Sequence, residues 1–195
     1  MAWAAEKELV ELVDGRACGD CTVCCVVTQV DTKEFQKPPG VPCQHLCAGG
    51  GCSIYETRFP ICRTYHCGWR YLAFLGDNWR PDRSGLLLVF TPENELPAGY
   101  ATGVSFILAG PPPSGLNRAL YHYVASLIAD GVHVMLAVPG PPGFYPAVMV
   151  LNDRLREAAR TRDHAPIEAV FAEALALIGA PAERFRPVAF QHGPG

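Results

Sequence analysis

The sequence predicts an α+β fold: an irregular cysteine-rich N-terminal module, then an antiparallel sheet with helices on one face. Three observations predict it. All nine cysteines lie between Cys18 and Cys67. The stretch that holds them is broken by Pro38-Pro39-Gly40, Pro42, Gly49-Gly50-Gly51 and Pro60, and it lacks long apolar periodicity. From Leu86 onward, short apolar runs alternate with segments of helical spacing. The expected divisions are a module over 1–85, an α+β region over 86–185 packed on it, and a loose tail over 186–195.

Residues 1–17 read as a short amphipathic helix, with Leu9, Val10, Leu12 and Val13 apolar, acids facing away and Gly15 as its stop. Residues 18–85 are turn-rich. Leu86–Phe90 and Tyr100–Leu108 read as strands. Beyond Pro111-Pro112-Pro113, Leu116, Leu120, Tyr123, Val124, Leu127 and Ile128 recur at helical spacing, and Asp130-Gly131 closes that helix. Val132–Val138 and Tyr145–Leu151 read as two more strands around a Pro-Gly-rich stretch at 139–143. Asn152 or Asp153 is expected to cap a short helix running to Arg160. Pro166 suits the first turn of a last helix, with Val170, Phe171, Ala174, Leu175 and Ile178 as its stripe. The chain from Pro181 is expected to be loose. Strand–strand–helix occurring twice hints at a duplicated unit, without a residue-level repeat.

Hydrophobic residues make up 49% of the chain, which argues against global disorder. The apolar runs are short, Leu86–Phe90 being typical, so no membrane span is expected. A net charge of −3 offers no reason to expect nucleic acid or an anionic membrane as partner. Glu6, Glu8 and Glu11 interrupt the N-terminus before the apolar core of a secretory signal could form, and a cytoplasmic location is expected. In a reducing compartment an odd number of clustered thiols is poorly explained by disulfides, and metal ligation becomes the leading reading. Metal cross-links would then supply the stability that the turn-rich module cannot draw from a core.

Cys18, Cys21, Cys24 and Cys25 form a C-x₂-C-x₂-C-C run. A two-residue spacer lets both thiolates of a turn reach one tetrahedral ion, with backbone amides directed at the sulfurs. Cys18/Cys21 and Cys21/Cys24 both have that spacing, so the pairing stays open. Cys24 and Cys25, being adjacent, project in different directions, which suits two metals or one ligand beside one packed thiol. Cys43, Cys47, Cys52, Cys62 and Cys67 follow, with His45 and His66 beside them. This total exceeds the four ligands of one zinc, so two sites, or one cluster and one zinc, are both possible. Arg58, Arg63, Arg70, Arg80 and Arg83 crowd the same region. They could offset the negative charge of metal-bound thiolates, or simply form a solvated face.

No G-x-G-x-x-G after a strand, P-loop, G-x-S-x-G elbow or H-E-x-x-H is present. Gly49–Gly51 precedes no evident helix and reads as a hinge between cysteines rather than a phosphate cradle. His122, between Tyr121 and Tyr123 on its helix, reads as a packed or surface histidine.

Cys18-x₂-Cys21-x₂-Cys24-Cys25, Gly40-Val41-Pro42-Cys43-x-x-Leu46, Gly51-Cys52-Ser53-Ile54-Tyr55-Glu56, Arg58, Cys62-Arg63 and Cys67-x-Trp69 together resemble the YkgJ-type cysteine-cluster family. The resemblance covers about residues 15–85. That family is described as zinc- or iron-chelating and is mostly bacterial. The resemblance implies metal-binding positions at Cys18, Cys21, Cys24, Cys25, Cys43, Cys52, Cys62 and Cys67, with Arg58 and Arg63 supporting them. Cys47 is an extra, and His66 and His45 are weaker ligand candidates. The chain departs from the family at Arg58-Phe59-Pro60, where the family usually has Arg-Pro directly, but the Arg58-to-Cys62 spacing survives. A flagellin lysine methylase shares the cysteine motif, so an enzymatic use exists in the wider group.

The expected function is metal binding, with thiolates coordinating zinc at two sites, or iron. An iron–sulfur or iron-dependent enzyme or redox protein is one alternative, and metal storage or delivery another. Closed four-thiolate coordination favours a structural role, because a catalytic metal keeps a position open. Glu56, Asp77 and Asp82 are the only acids between Cys43 and Leu86, which favours closed coordination.

Overall fold

The computed structural model describes residues 11–110 and 117–190. Its first half is made of short pieces: helix α1 (Val23–Val27), the paired strands β1 (Val30–Asp31) and β2 (Gln36–Lys37), and helices α2 (Pro60–Thr64), α3 (Gly68–Tyr71) and α4 (Pro81–Ser84). Isolated helices this short are unstable in water, so tertiary contacts must hold them. Pro60 and Pro81 open α2 and α4, where the missing N–H costs nothing.

Residues 11–17, expected within a helix, are not helical, and residues 1–10 of that expectation lie outside the described residues. Arg16 gives the physical reason. Its guanidinium donates to the carbonyls of Trp69, Leu72, Ala73 and Leu75, and stands 4.9 Å from the Trp69 ring centroid. The Val13 N–H adds a bond to the Arg70 carbonyl at 2.8 Å. Satisfying the open carbonyls at and beyond a short helix outweighs the weak helical preference of this segment.

The second half contains strands β3 (Leu86–Thr91) and β4 (Gly103–Leu108), helix α5 (Arg118–Ala129), strands β5 (His133–Val138) and β6 (Ala147–Val150), and helices α6 (Asn152–Thr161) and α7 (Ala165–Leu175). The strands form one sheet in the order β3-β4-β5-β6. The register sets Leu88 against Phe106, Phe106 against Leu136, and Leu136 against Met149. An antiparallel sheet was expected, and the centre corrects it: β4 and β5 run parallel. Helix α5 lies between them in sequence and supplies the crossover that a parallel pair requires.

One face of the sheet, with Leu86, Leu88, Phe106, Leu108, Val134 and Leu136, is buried in a core with Val124, Leu155, Ile167 and Phe171 from the three long helices. The expected α7 stripe is buried at Val170, Phe171 and Ala174, with Leu175 and Ile178 packed at its margin. Asn152 does not cap α6, and neither does Asp153. The capping position is Leu151, with no side-chain cap, and Asn152 is buried and turned toward the start of β5. The expected loose tail is held by hydrogen bonds at Arg186, Val188 and Ala189, and its residues 191–195 lie outside the described residues. Tyr145 N–H donates to Arg186 O at 2.8 Å, Val188 N–H to Gly143 O at 2.9 Å, and Tyr145 Oη to Ala189 O at 3.1 Å.

The cysteine module wraps the β3 edge. On the helix-covered face, Gly68 rests on Leu88, where a Cβ would lie 2.8 Å from the Leu88 Cβ. On the other face, Leu87 reaches the cysteine cavity, and Val27, Pro39 and Gly40 approach Ile107. Gly68→Ala is therefore expected to push α3 off β3 and lower stability by about 1–3 kcal/mol. An unchanged urea midpoint would mean that α3 is not seated there. Among the described residues, no helix is long and apolar enough to cross a membrane.

Candidate functional site

The cysteines are positioned by backbone bonds that cross between short segments. Cys18 and Cys21 flank a tight turn, with the Cys21 N–H on the Cys18 carbonyl at 2.9 Å. Helix α1 carries Cys24 and Cys25. The Cys43 N–H bonds to the Cys25 carbonyl at 2.9 Å. The chain then folds back on itself, bridging Leu46 to Cys52, and the Cys47 N–H meets the Gly51 carbonyl at 3.1 Å. Gly50 has φ +89°, and a Cβ there would lie 3.1 Å from the Asp20 carbonyl oxygen. The Gly49–Gly51 run therefore lets the tip of this hairpin rest against the Cys18–Cys21 turn. Cys62 lies in α2, and Cys67 immediately precedes α3.

One cavity of about 200 Å³ has every cysteine except Cys47 in its wall. Cys47 is exposed, and none of the nine is in a disulfide. The volume is well above the roughly 10–15 Å³ that one water needs, yet below the roughly 300–1,000 Å³ of pockets that take organic ligands. His45 and His66 also line the cavity. The His45 ring lies 5.9 Å from Phe59 and 6.3 Å from Phe35, and the His66 ring stands edge-on to Tyr71 at 5.8 Å. Arg58 lines the cavity as well, its Nε donating to Tyr55 O at 2.8 Å and its guanidinium 3.8 Å from the Tyr55 ring centroid. Arg63, expected to support the ligands, is exposed on α2 and does not line the cavity. Arg70 does approach a thiol, donating to Cys18 Sγ at 3.8 Å. Among the described residues, no three His, Cys, Asp or Glu side chains stand so as to hold a metal ion.

The thiols sit in unequal fields. Burial pushes Cys21 up to about 11, and the nearby Asp82 carboxylate adds to the rise. Cys24 donates a hydrogen bond to Cys25, which raises Cys24 and brings Cys25 down to about 7, helped by the charges of Lys37 and Arg58. Burial raises Cys62 and Cys67. Burial lowers His66, and Arg70 and Arg58 push the same way.

Two contributors escaped the sequence reading. Lys37 is 4% exposed, and its Nζ donates to the carbonyls of Val26, Pro38 and Val41, each at 3.0 Å. Burial lowers its pKa while the neighbouring Cys43 and Cys25 thiolates oppose the shift. Tyr65 lines the cavity with a buried hydroxyl that has no hydrogen-bond partner, and Arg70 Nε is likewise buried without one. No local pattern marks a buried lysine. Tyr65 lies among the cysteines in sequence, and that placement was its only available signal.

Beyond the site, His122 is exposed on α5, with its ring 4.1 Å from that of His164. No family model, no curated protein and no solved structure matches this chain.

Proposed function

We propose that this chain is a metal-binding protein whose cavity thiolates coordinate zinc or iron. The observation that carries the reading is the sorting of the cysteines: every one that matches the YkgJ-type pattern lines a single small cavity, and the extra one, Cys47, lies outside it. The donor chemistry fits. Soft thiolates select zinc and iron, and the unpartnered Tyr65 hydroxyl and Arg70 Nε supply buried donors of the kind that support metal-bound sulfur. The cavity is also too small for a typical organic substrate. A bound metal would cross-link the turns, each thiol releasing its proton to solvent as it becomes a ligand.

Elemental analysis of freshly purified protein, prepared without oxygen, tests this. About two zinc ions per chain are expected, since eight thiolates at four per ion fill two sites. A brown protein with visible absorption would replace zinc by an iron–sulfur cluster. Protein that carries no metal and takes none up when reduced would overturn the reading. Cys47→Ser is expected to leave metal content unchanged, and loss of an ion in that variant would place Cys47 among the ligands.

A further inference from the structure

We propose that the free edge of β6 pairs with the same edge of a second copy of this chain, joining two four-stranded sheets into one of eight strands. The inference is independent of the metal-binding reading above.

The strand order β3-β4-β5-β6 has two outer strands. The cysteine module wraps β3, so β6 is the edge left open. The direction of its backbone groups follows from its pairing with β5. Leu151 N–H donates to Val134 O at 2.9 Å, and Leu136 stands opposite Met149. Backbone groups alternate along a strand, so Ala147, Met149 and Leu151 direct theirs at β5, while Val148 and Val150 direct theirs outward. Among the described residues, nothing bonds to those outward N–H and C=O groups. Val148 and Val150 are also 54% and 44% exposed. Ala147–Val150 has no charge, no proline and no bulge, the devices that ordinarily keep strand edges from pairing.

The described course of the chain leads both of its ends away from this edge. Arg186 O and Val188 N–H bond to Tyr145 and Gly143, so the tail runs antiparallel to the approach to β6 and recedes from the strand as it proceeds. At the other end, the Val13 N–H bonds to the Arg70 carbonyl in α3, which sits on β3.

A second copy fits because the edge is self-complementary. Two outward residues, two positions apart, make a complete antiparallel match when a two-fold axis passes beside Met149. Val148 N–H then meets the C=O of Val150 of the partner subunit, and the N–H of that valine meets Val148 O. Symmetry repeats both, giving four backbone bonds. On the sheet face away from the helices, Leu87, Ile107, Ala137 and Val148 form one cross-strand row, and Val89, Ser105, Met135 and Val150 the next. The axis joins the first row of one copy to the second row of the other, so valine meets valine across the seam. Charge does not oppose the match. Arg154, which reaches Met149 Sδ at 3.6 Å, is already paired with Glu173 at 2.6 Å. A strand of four residues offers only about 13 Å of edge, short of what the roughly 1,200 Å² of a standard interface requires, so the dimer is weak and depends on concentration.

Sedimentation equilibrium of the full chain, from low micromolar to near-millimolar concentration, tests this. A thiol reductant excludes disulfides through the exposed Cys47. The wild type is expected to pass from monomer to dimer across that range. Val148→Lys and Val150→Glu are each expected to weaken the dimer by about tenfold or more, since each sets a charge against an apolar valine in the seam. An equal mixture of the two variants is expected to regain association, because the register brings position 148 of one copy against position 150 of the other. Urea midpoints close to that of the wild type are expected, as both side chains lie at the surface. Hydrogen exchange reads the wild type without any variant, and protection of the Val148 and Val150 amides is expected to rise with concentration. A wild type that stays monomeric throughout would overturn the proposal and leave the edge to a strand of another protein. Association that both single variants leave unchanged would move the interface elsewhere. A mixture no better associated than its components would overturn the register.

Discussion

Lys37→Met is expected to lower stability by about 2–4 kcal/mol and, on the proposed metal-binding reading, to speed the loss of zinc to a chelator. Methionine matches the length of the lysine stem but has no N–H to give. The ammonium it removes is buried and donates to three carbonyls, two of which flank the cysteine segments: Val26 follows Cys25, and Val41 stands two residues before Cys43. The Val26 carbonyl keeps its bond from the Gly40 N–H at 2.9 Å. The Pro38 and Val41 carbonyls lose the donor that Lys37 gave them, at roughly 1–3 kcal/mol each for a buried polar group left unmatched. Burying a thioether instead of an ammonium returns part of that, which sets the net estimate below the sum. The effect on zinc has a separate origin. Lys37 stands in the field of the Cys43 and Cys25 thiolates, so its removal leaves their negative charge less compensated. Urea denaturation measures the first effect, and transfer of any zinc the protein has taken up to a chromogenic chelator measures the second. An unchanged midpoint with unchanged transfer would show that the ammonium is incidental to the module.

What the sequence shows and what it hides separate along a physical line. Local period reveals which residues face inward, so Leu86–Phe90 and Val132–Val138 were found nearly to the residue, and Pro166 did mark the first turn of α7. Period is silent on strand direction. The alternation in β5 is the same whether it runs with or against β4, and the parallel pairing is set by where the α5 crossover returns the chain. The strand expected from Tyr100 begins only at Gly103, although the Thr102 carbonyl already receives the His133 N–H at 2.9 Å. The same limit applies at the candidate site. The family resemblance implied the eight cysteines that share one cavity, whereas C-x₂-C spacing, a local device, reaches only the run from Cys18 to Cys25. Which thiols stand near which depends on bonds such as Cys43 N–H to Cys25 O and Arg70 to Cys18 Sγ, which join residues far apart in the chain. The resemblance implied a supporting role for Arg63 and none for Arg70. Only the turn between α2 and α3 separates the one left exposed from the one directed at sulfur.

Asn152→Leu is expected to cost about 2–4 kcal/mol, the second large effect, and it arises far from any thiol. Asn152 was legible as a helix cap because Asn prefers that position. Its side chain instead completes the edge of β5: Oδ1 accepts from Val134 N–H at 2.8 Å and Nδ2 donates to Val132 O at 2.7 Å. The residue is 5% exposed, so leucine would leave both backbone groups facing an apolar side chain, away from water. Asn152→Asp separates the loss of hydrogen bonds from the loss of shape. An ionised carboxylate can accept from Val134 N–H but cannot donate to Val132 O, and burial disfavours its charge, so its pKa in the folded state should lie above the ordinary value of about 3.9. The sign follows from proton linkage. The protonated acid can make both bonds, so the variant's deficit should be smallest below about pH 4 and should grow as pH rises through and beyond that value. Asn152→Leu has no such titration, and its deficit should stay level over the same range. If the two variants show the same pH profile, or if Asn152→Leu leaves the urea midpoint in place, the side chain does not bridge β5 and the parallel centre of the sheet is held without it.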